Sequence, residues 1–158
     1  MKIIFLDIDG VLNNTFETDK QISKRNIHFL NEIIKATEAK VVISSCWRFS
    51  FTKESLQNFL NSFGFIGEII DFTVAPQRFE VRGNVIRAWI IKNEELIGED
   101  NNNFNDFVII DDEGDMLLWQ ANNFVQTDRF AGLTSQCAWK AIKILNGKFP
   151  EGITLFDI

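Results

Sequence analysis

The sequence predicts a three-layer α/β fold, with a mostly parallel central sheet and helices on both faces. Three observations predict it. Short β-branched apolar runs recur along the chain and end in polar residues, as strands buried on both faces do. Segments with apolar residues at helical spacing lie between them, and this alternation builds β-α-β units. Of 158 residues, 46% are apolar and 24% charged, with sixteen Phe and four Trp. That is a globular composition with ample surface to bury, which excludes disorder as the main state.

The elements follow in order. Lys2–Leu6 (KIIFL) is the first strand, ended by Asp7. Ile22–Ala36 places Ile22, Ile27, Leu30, Ile33 and Ile34 on one helical face. Lys40–Ile43 (KVVI) is a second strand, ended by Ser44 and Ser45. Lys53–Phe63 is a helix carrying Leu56, Phe59 and Leu60, and Gly64 is its stop. Ile69–Val74 (IIDFTV) is a weaker strand candidate, and Val85–Leu96 a helix with Val85, Ile86, Trp89 and Ile90. Glu99–Asp106 reads as a polar connector. Phe107–Ile110 (FVII) is a strand ended by Asp111 and Asp112, and Phe124-Val125 another leading into Gln126, Thr127 and Asp128. Ser135–Leu145 closes the pattern with Ala138, Ala141, Ile142 and Leu145 on one face. There is no internal repeat and no linker, and the stretch from Phe149 is too short for a domain. The expectation is one domain over residues 1–158, within the usual span of about 100–200 residues.

Several function classes are disfavoured. No apolar run approaches the roughly 18 residues that cross a bilayer. The N-terminus meets an acid at Asp7, too early for a secretory signal. The expected location is cytoplasmic, with no membrane contact and no obligate protein partner. Cys46 and Cys137 are too few for a disulfide scaffold and too far apart for a metal knuckle. Neither opens a C-x5-R phosphatase loop, because Thr52 and Lys143 stand where arginine is needed. Both are expected as reduced thiols in or near the core. The net charge of −6 argues against broad attraction to a polyanion but leaves a local basic site open.

Ligands of open α/β sheets bind beyond the carboxyl ends of the strands. Here those ends carry Asp7 and Asp9, Ser44 and Ser45, and Asp111 and Asp112, with Asp115 close behind. If the three strands are neighbours, four carboxylates and two hydroxyls share one crevice. Such carboxylates repel one another, and a cation offsets the repulsion; an all-oxygen set suits Mg²⁺. In Asp7-x-Asp9 both side chains address one side of an extended chain. Gly10 permits a sharp turn and close approach of backbone to phosphate. Each residue alone also has a plainer reading. A strand-end Asp often caps a helix or fills a turn. Trp47 reads as packing more readily than as a base-stacking surface. His28 reads as structural, Thr127 and Asp128 as a turn, and Arg48 as a phosphate contact.

Asp7-Ile8-Asp9-Gly10-Val11-Leu12 after an apolar strand resembles the first motif of the haloacid dehalogenase-like (HAD) phosphohydrolases. Val42-Ile43-Ser44 is similar to the second motif, Arg82-Gly83-Asn84-Val85-Ile86 to the third, and Ile109-Ile110-Asp111-Asp112 to the fourth. Four motifs in family order are far more specific than a lone DxDG. Ser45-Cys46-Trp47-Arg48, Arg82-Gly83 with Trp89, and Gly132-Leu133-Thr134 more weakly resemble the HAD branch of RNA-repair proteins. The resemblance implies a Rossmann-like fold and a Mg²⁺-dependent phosphatase. It makes Asp7 the nucleophile that forms an aspartyl-phosphate and Asp9 the general acid and base, whose main-chain carbonyl also faces the metal. Ser44 would hydrogen-bond the phosphoryl group and Arg82 neutralise it. Gly10, Ser45 and Arg48 would lie against substrate, and Asp7, Asp9, Asp111 and Asp112 would form the metal site. The family usually has lysine in the third motif, so Arg87 and Lys92 are alternatives to Arg82.

No large cap is expected. Asn13 to Lys40 holds a short flap and one helix, and Ser50 to Arg82 one helix and a strand. An open crevice suits a phosphate on a macromolecule, because a small substrate would lose the water exclusion that closure gives. The RNA-repair resemblance points to a nucleic-acid terminal phosphate, gripped through Arg48, Arg78 and Arg82. Two alternatives stay open: a metal-dependent nuclease in which water attacks directly, and a non-catalytic phospho-receiver or binding module.

Overall fold

The computed structural model describes residues 1–14, 22–97 and 106–147. Most of the flap, the connector expected over Glu99–Asp106 (Asp106 aside) and the stretch from Phe149 lie outside the described residues. The elements are β1 (Ile3–Leu6), α1 (Lys24–Thr37), β2 (Lys40–Ile43), α2 (Lys53–Ser62), β3 (Ile69–Phe72), α3 (Arg82–Lys92), α4 (Glu94–Ile97), β4 (Phe107–Asp111), β5 (Phe124–Gln126) and α5 (Ser135–Leu145). Tight helical turns cover Cys46–Phe49 and Leu118–Asn123. The five strands form one parallel sheet in the order β3-β2-β1-β4-β5.

Period-two alternation sorts the strand side chains into two layers. Ile4, Leu6, Val41, Ile43, Val108 and Ile110 pack with the apolar faces of α1, α2 and α5. Ile3, Phe5, Val42 and Ile109 face the other way, onto Ile86 and Trp89 of α3. There Phe5 meets Trp89 edge-on at 5.3 Å and Phe107 at 6.0 Å, the favoured geometry for aromatic pairs. The fold is therefore the three-layer, Rossmann-like arrangement with helices on both faces. Among the described residues no inserted domain interrupts the layers, and no helix is long and apolar enough to cross a membrane.

Helix starts follow their caps. Ser23, Thr52 and Thr134 each accept a main-chain N–H and open α1, α2 and α5. Two boundaries differ from expectation. The helix expected from Val85 begins at Arg82, and Gly83, a poor helix former, hides that first turn. Glycine is required there because a Cβ would stand 2.6 Å from the Leu117 nitrogen and the Gln120 Oε1. The same helix stops at Asn93, whose side-chain amide donates to the Trp89 carbonyl at 2.8 Å; α4 is a separate turn.

Register places the crevice. Leu6 stands level with Ile43 on one side and Ile110 on the other. The residues one step on are Asp7, Ser44 and Asp111. The ladder continues through them: the Asp7 N–H donates to Ile110 and the Ser44 N–H to Leu6, both at 3.0 Å. β1 leads outward to β2 and β3 on one side, and β4 and β5 lie on the other, so these three residues sit where strand order reverses.

Candidate active site

Asp7 is 5% exposed and Asp111 is fully buried. Two buried acids at adjacent strand tips need a counter-charge, and Arg82 provides it. Its Nη1 lies 2.8 Å from Asp7 Oδ1 and 2.9 Å from Asp111 Oδ2. A single nitrogen bridges both acids, so the guanidinium acts here as a point charge, as a lysine ammonium would. Arg87 and Lys92, further along α3, are exposed, and Arg82 alone of the three meets the acids.

Arg82 is held from behind. Val81 cannot cap α3 with its side chain. The Arg82 N–H donates instead to Asp115 Oδ2 at 2.8 Å, and the Gly83 N–H to the Asp115 carbonyl at 3.2 Å. Asp115, close behind Asp111 and Asp112 in the sequence, thus closes the helix start across the loop after β4. A cation in a first helical turn opposes the helix dipole, and these three acids offset that.

The electrostatics are those of a site short of positive charge. Burial, and then the charge on Asp7, push the Asp111 carboxyl up to about 7 against the pull of Arg82. Burial raises Asp7 too, opposed by Arg82 and by a hydrogen bond from Ser45. Burial works to lower the Arg82 pKa, but Asp7 and Asp111 outweigh it and raise it. Carboxylate oxygens of Asp7, Asp111 and Asp112 all lie within 4.8 Å of one another. Three hard oxygen donors with one arginine fit a small divalent cation such as Mg²⁺.

This yields a stability prediction. A buried acid whose folded pKa exceeds its unfolded value holds its proton more tightly in the native state. Metal-free protein is therefore expected to lose stability as pH rises from about 4 through about 7. Mg²⁺ is expected to raise the melting temperature more at about pH 8 than at about pH 5. Thermal denaturation at the two pH values, with and without Mg²⁺, checks this; an equal shift at both would contradict it.

The other expected residues are placed as follows. The Ser44 hydroxyl is buried at the tip of β2 with no hydrogen-bond partner among the described residues. Such a group calls for a ligand. Arg48 is drawn toward the site: its Nη1 donates to Thr73 Oγ1 at 3.1 Å, and burial, then the charge of Arg82, lower its pKa. Its Nε is buried without a hydrogen-bond partner among the described residues. Asp112 lies 3.2 Å from Arg129. The Asp9 carboxylate is not in the acidic group. Asn13 Nδ2 donates to its Oδ1 at 2.7 Å and Trp47 Nε1 to its Oδ2 at 3.0 Å. That leaves its main-chain carbonyl, the atom to which the resemblance gives the metal contact.

Two expected substrate contacts have other work. Gly10 has φ 74°, and a Cβ there would stand 2.6 Å from Asp112 Cγ. Its N–H donates to Asn13 Oδ1 and its carbonyl accepts from Thr127 Oγ1, both at 2.8 Å. Glycine is therefore needed to bring the first loop against Asp112, and its polar groups are already engaged. Ser45 is fully buried; it caps the Cys46–Phe49 turn and supports Asp7. Cys46 is exposed rather than near the core, and Cys137 is half-buried. Asp128 holds a turn with Gly132, as expected, and His28 pairs with Glu32 on the surface of α1. Sequence reasoning missed Asn13 and Arg129. An asparagine four residues after an acid, across a glycine turn, was a usable signal for Asn13; nothing local marks Arg129.

The model of the HAD domain in Swiss Army Knife RNA repair proteins matches residues 3–138. No curated protein and no solved structure matches the chain. The match spans all five strands, the acids at their tips and Arg82, and the chain belongs to this family of HAD domains, within the HAD-like phosphohydrolases.

Proposed function

We propose that the protein is a Mg²⁺-dependent phosphatase that hydrolyses a phosphomonoester through an aspartyl-phosphate on Asp7. The observation that carries this reading is the placement of Asp7 at the tip of the central strand, paired with Arg82 and grouped with Asp111 and Asp112. Asp7, Asp111 and Asp112, with the Asp9 main-chain carbonyl, would hold a Mg²⁺ ion, which would supply Lewis-acid neutralisation of the phosphoryl group. A carboxylate oxygen of Asp7 attacks phosphorus as the bond to the leaving oxygen breaks, and protonated Asp9 gives that oxygen its proton. Asp9, now a carboxylate, takes a proton from water as the water oxygen attacks phosphorus. The bond to Asp7 breaks and inorganic phosphate leaves. Ser44 donates its unpartnered hydroxyl to a phosphoryl oxygen, and Arg82 offsets charge on the nucleophile and the transferring group.

The substrate we favour is a terminal phosphate on a nucleic acid, in keeping with the RNA-repair proteins in which the family's domains occur. The loop leading into α3 supports it. Gln77 and Glu80 close a turn through two hydrogen bonds of 2.9 Å. It holds Phe79 at φ 67°, where side chains are disfavoured, with the residue 90% exposed. The Arg78 guanidinium lies 5.1 Å over the Phe79 ring. An arginine-backed aromatic face three residues from Arg82 suits the base next to a bound phosphate. Phe79→Ala is expected to lower kcat/KM for a phosphorylated oligonucleotide roughly 10-fold and leave an aryl phosphate unchanged. Equal effects on both would remove Phe79 from substrate recognition.

The function itself is tested by assaying 3′- and 5′-phosphorylated oligonucleotides and small phosphomonoesters with Mg²⁺. The expected result is release of inorganic phosphate with the oligonucleotide intact. Cleavage of internal phosphodiesters would establish the nuclease instead, and binding without turnover the phospho-receiver.

A further inference from the structure

We propose that Trp47 is a positioning residue for Asp9, orienting its carboxyl group toward the leaving oxygen. The inference rests on the reading of Asp9 as general acid and base. Asp9 is exposed, on a loop, just past the tip of β1. An exposed aspartate ordinarily samples several rotamers, and proton transfer is sensitive to small misplacement. Here both carboxylate oxygens are held. The Trp47 indole N–H donates to Oδ2 at 3.0 Å, and the Asn13 amide to Oδ1 at 2.7 Å. The Cys46 thiol is a third, longer donor, to Oδ2 at 3.8 Å; the two N–H donors on opposite oxygens fix the plane of the group as well as its position.

The indole is itself immobilised. Its ring stacks on Phe51 at 5.4 Å with the planes 9° apart, and leans on Phe59 at 5.9 Å. Phe59 in turn meets Phe51 at 5.4 Å and Phe63 at 5.2 Å. Trp47, Phe51, Phe59 and Phe63 pack against the core that holds Leu56 and Leu60 of α2. The turn that presents the indole is started by the buried Ser45, whose hydroxyl accepts the Trp47 N–H at 3.4 Å. An apolar row thus ends in one polar atom aimed at the proposed acid. Packing alone explains the row but not the direction of the N–H.

The test is leaving-group dependence. Trp47→Phe keeps an aromatic ring against Phe51 and removes the donor. kcat/KM reports only the steps through leaving-group departure, where Asp9 gives its proton. For an alkyl phosphate, which needs that proton, kcat/KM is expected to fall about 10-fold or more. For dinitrophenyl phosphate, which does not, it is expected to change less than about threefold. Asp9→Asn is the reference and is expected to show the same selectivity, more strongly. Phe59→Leu, which loosens the row but leaves the N–H, is expected to shift the ratio of the two substrates in the same direction but less than Trp47→Phe does. Selective loss in Asp9→Asn with none in Trp47→Phe would overturn the role of Trp47 and leave that of Asp9 standing. No selectivity in Asp9→Asn would overturn the reading of Asp9, and this inference with it. If Trp47→Phe fails a circular-dichroism check of folding, benzothienylalanine at position 47 exchanges N–H for sulfur in the same bicycle and decides the question in the same way.

Discussion

Replacing Asp7 with asparagine is expected to lower phosphatase turnover by on the order of 10⁴-fold or more while leaving the protein at least as stable. An amide of the same shape cannot attack phosphorus, so the covalent route closes. Stability moves the other way because of the charges in the crevice. Asp7 is the second cause, after burial, of the raised Asp111 carboxyl, and burial raises Asp7 itself. With Asp7 neutral, Arg82 keeps Asp111 at 2.9 Å as a one-to-one pair. Such opposition between activity and stability is what a site built on mutual repulsion produces. Steady-state turnover of an aryl phosphate with Mg²⁺, beside metal-free thermal denaturation, reads both halves. A loss of less than tenfold would remove Asp7 from the chemistry.

Arg82→Met is expected to do the reverse to stability. It leaves Asp7 and Asp111 buried without their shared cation, and breaking a buried pair costs about 3–5 kcal/mol. The cost is expected to grow as pH rises above about 7, where Asp111 of the intact protein gives up its proton, and to be smaller below it, where Asp111 is protonated with or without Arg82. Turnover is expected to fall below detection. Arg82→Lys is the informative companion. Because Nη1 alone contacts both acids, an ammonium can occupy the same place, and this variant is expected to keep activity within about tenfold of wild type. Denaturant unfolding at two pH values and steady-state kinetics check the pair of variants. Equal inactivation by lysine and methionine would show that the guanidinium fork, rather than its charge, is required.

The same geometry shows why much of the site was legible in the sequence. β1, β2 and β4 are continuous apolar runs with polar stops, and α5 carries a clean helical face between Thr134 and the turn at Gly147. Parallel register then carries the stops to one level, so Asp7, Ser44 and Asp111 follow from strand ends alone. What stayed hidden depends on distances that no local pattern encodes. Asp115 caps α3 from 33 residues away, so apolar spacing could not give the helix start, although the motif resemblance named Arg82. Gly83 disguised that first turn, and Asn93 ended the helix through its own side chain. Gly10 and Ser45 match motif positions, but their polar atoms are turned inward, to Asn13 and Thr127 and to Asp7 and Trp47. Trp47 shows the limit most clearly. Packing was the right reading for its ring, and only the folded chain reveals where its N–H points.

The central claim is that phosphorus is bonded transiently to Asp7, and trapping that bond tests it most directly. The enzyme is quenched during turnover with Mg²⁺ and a phosphorylated substrate, reduced with borohydride, and mapped by peptide mass spectrometry. Asp9→Asn is mapped alongside with dinitrophenyl phosphate, whose leaving group needs no proton, because formation then proceeds while slowed hydrolysis lets the intermediate accumulate. The account predicts a reduced acyl phosphate at Asp7 only, dependent on substrate and Mg²⁺ and missing from Asp7→Asn. Full turnover with Asp7 unmodified in both proteins, or modification of a different carboxylate, would contradict it.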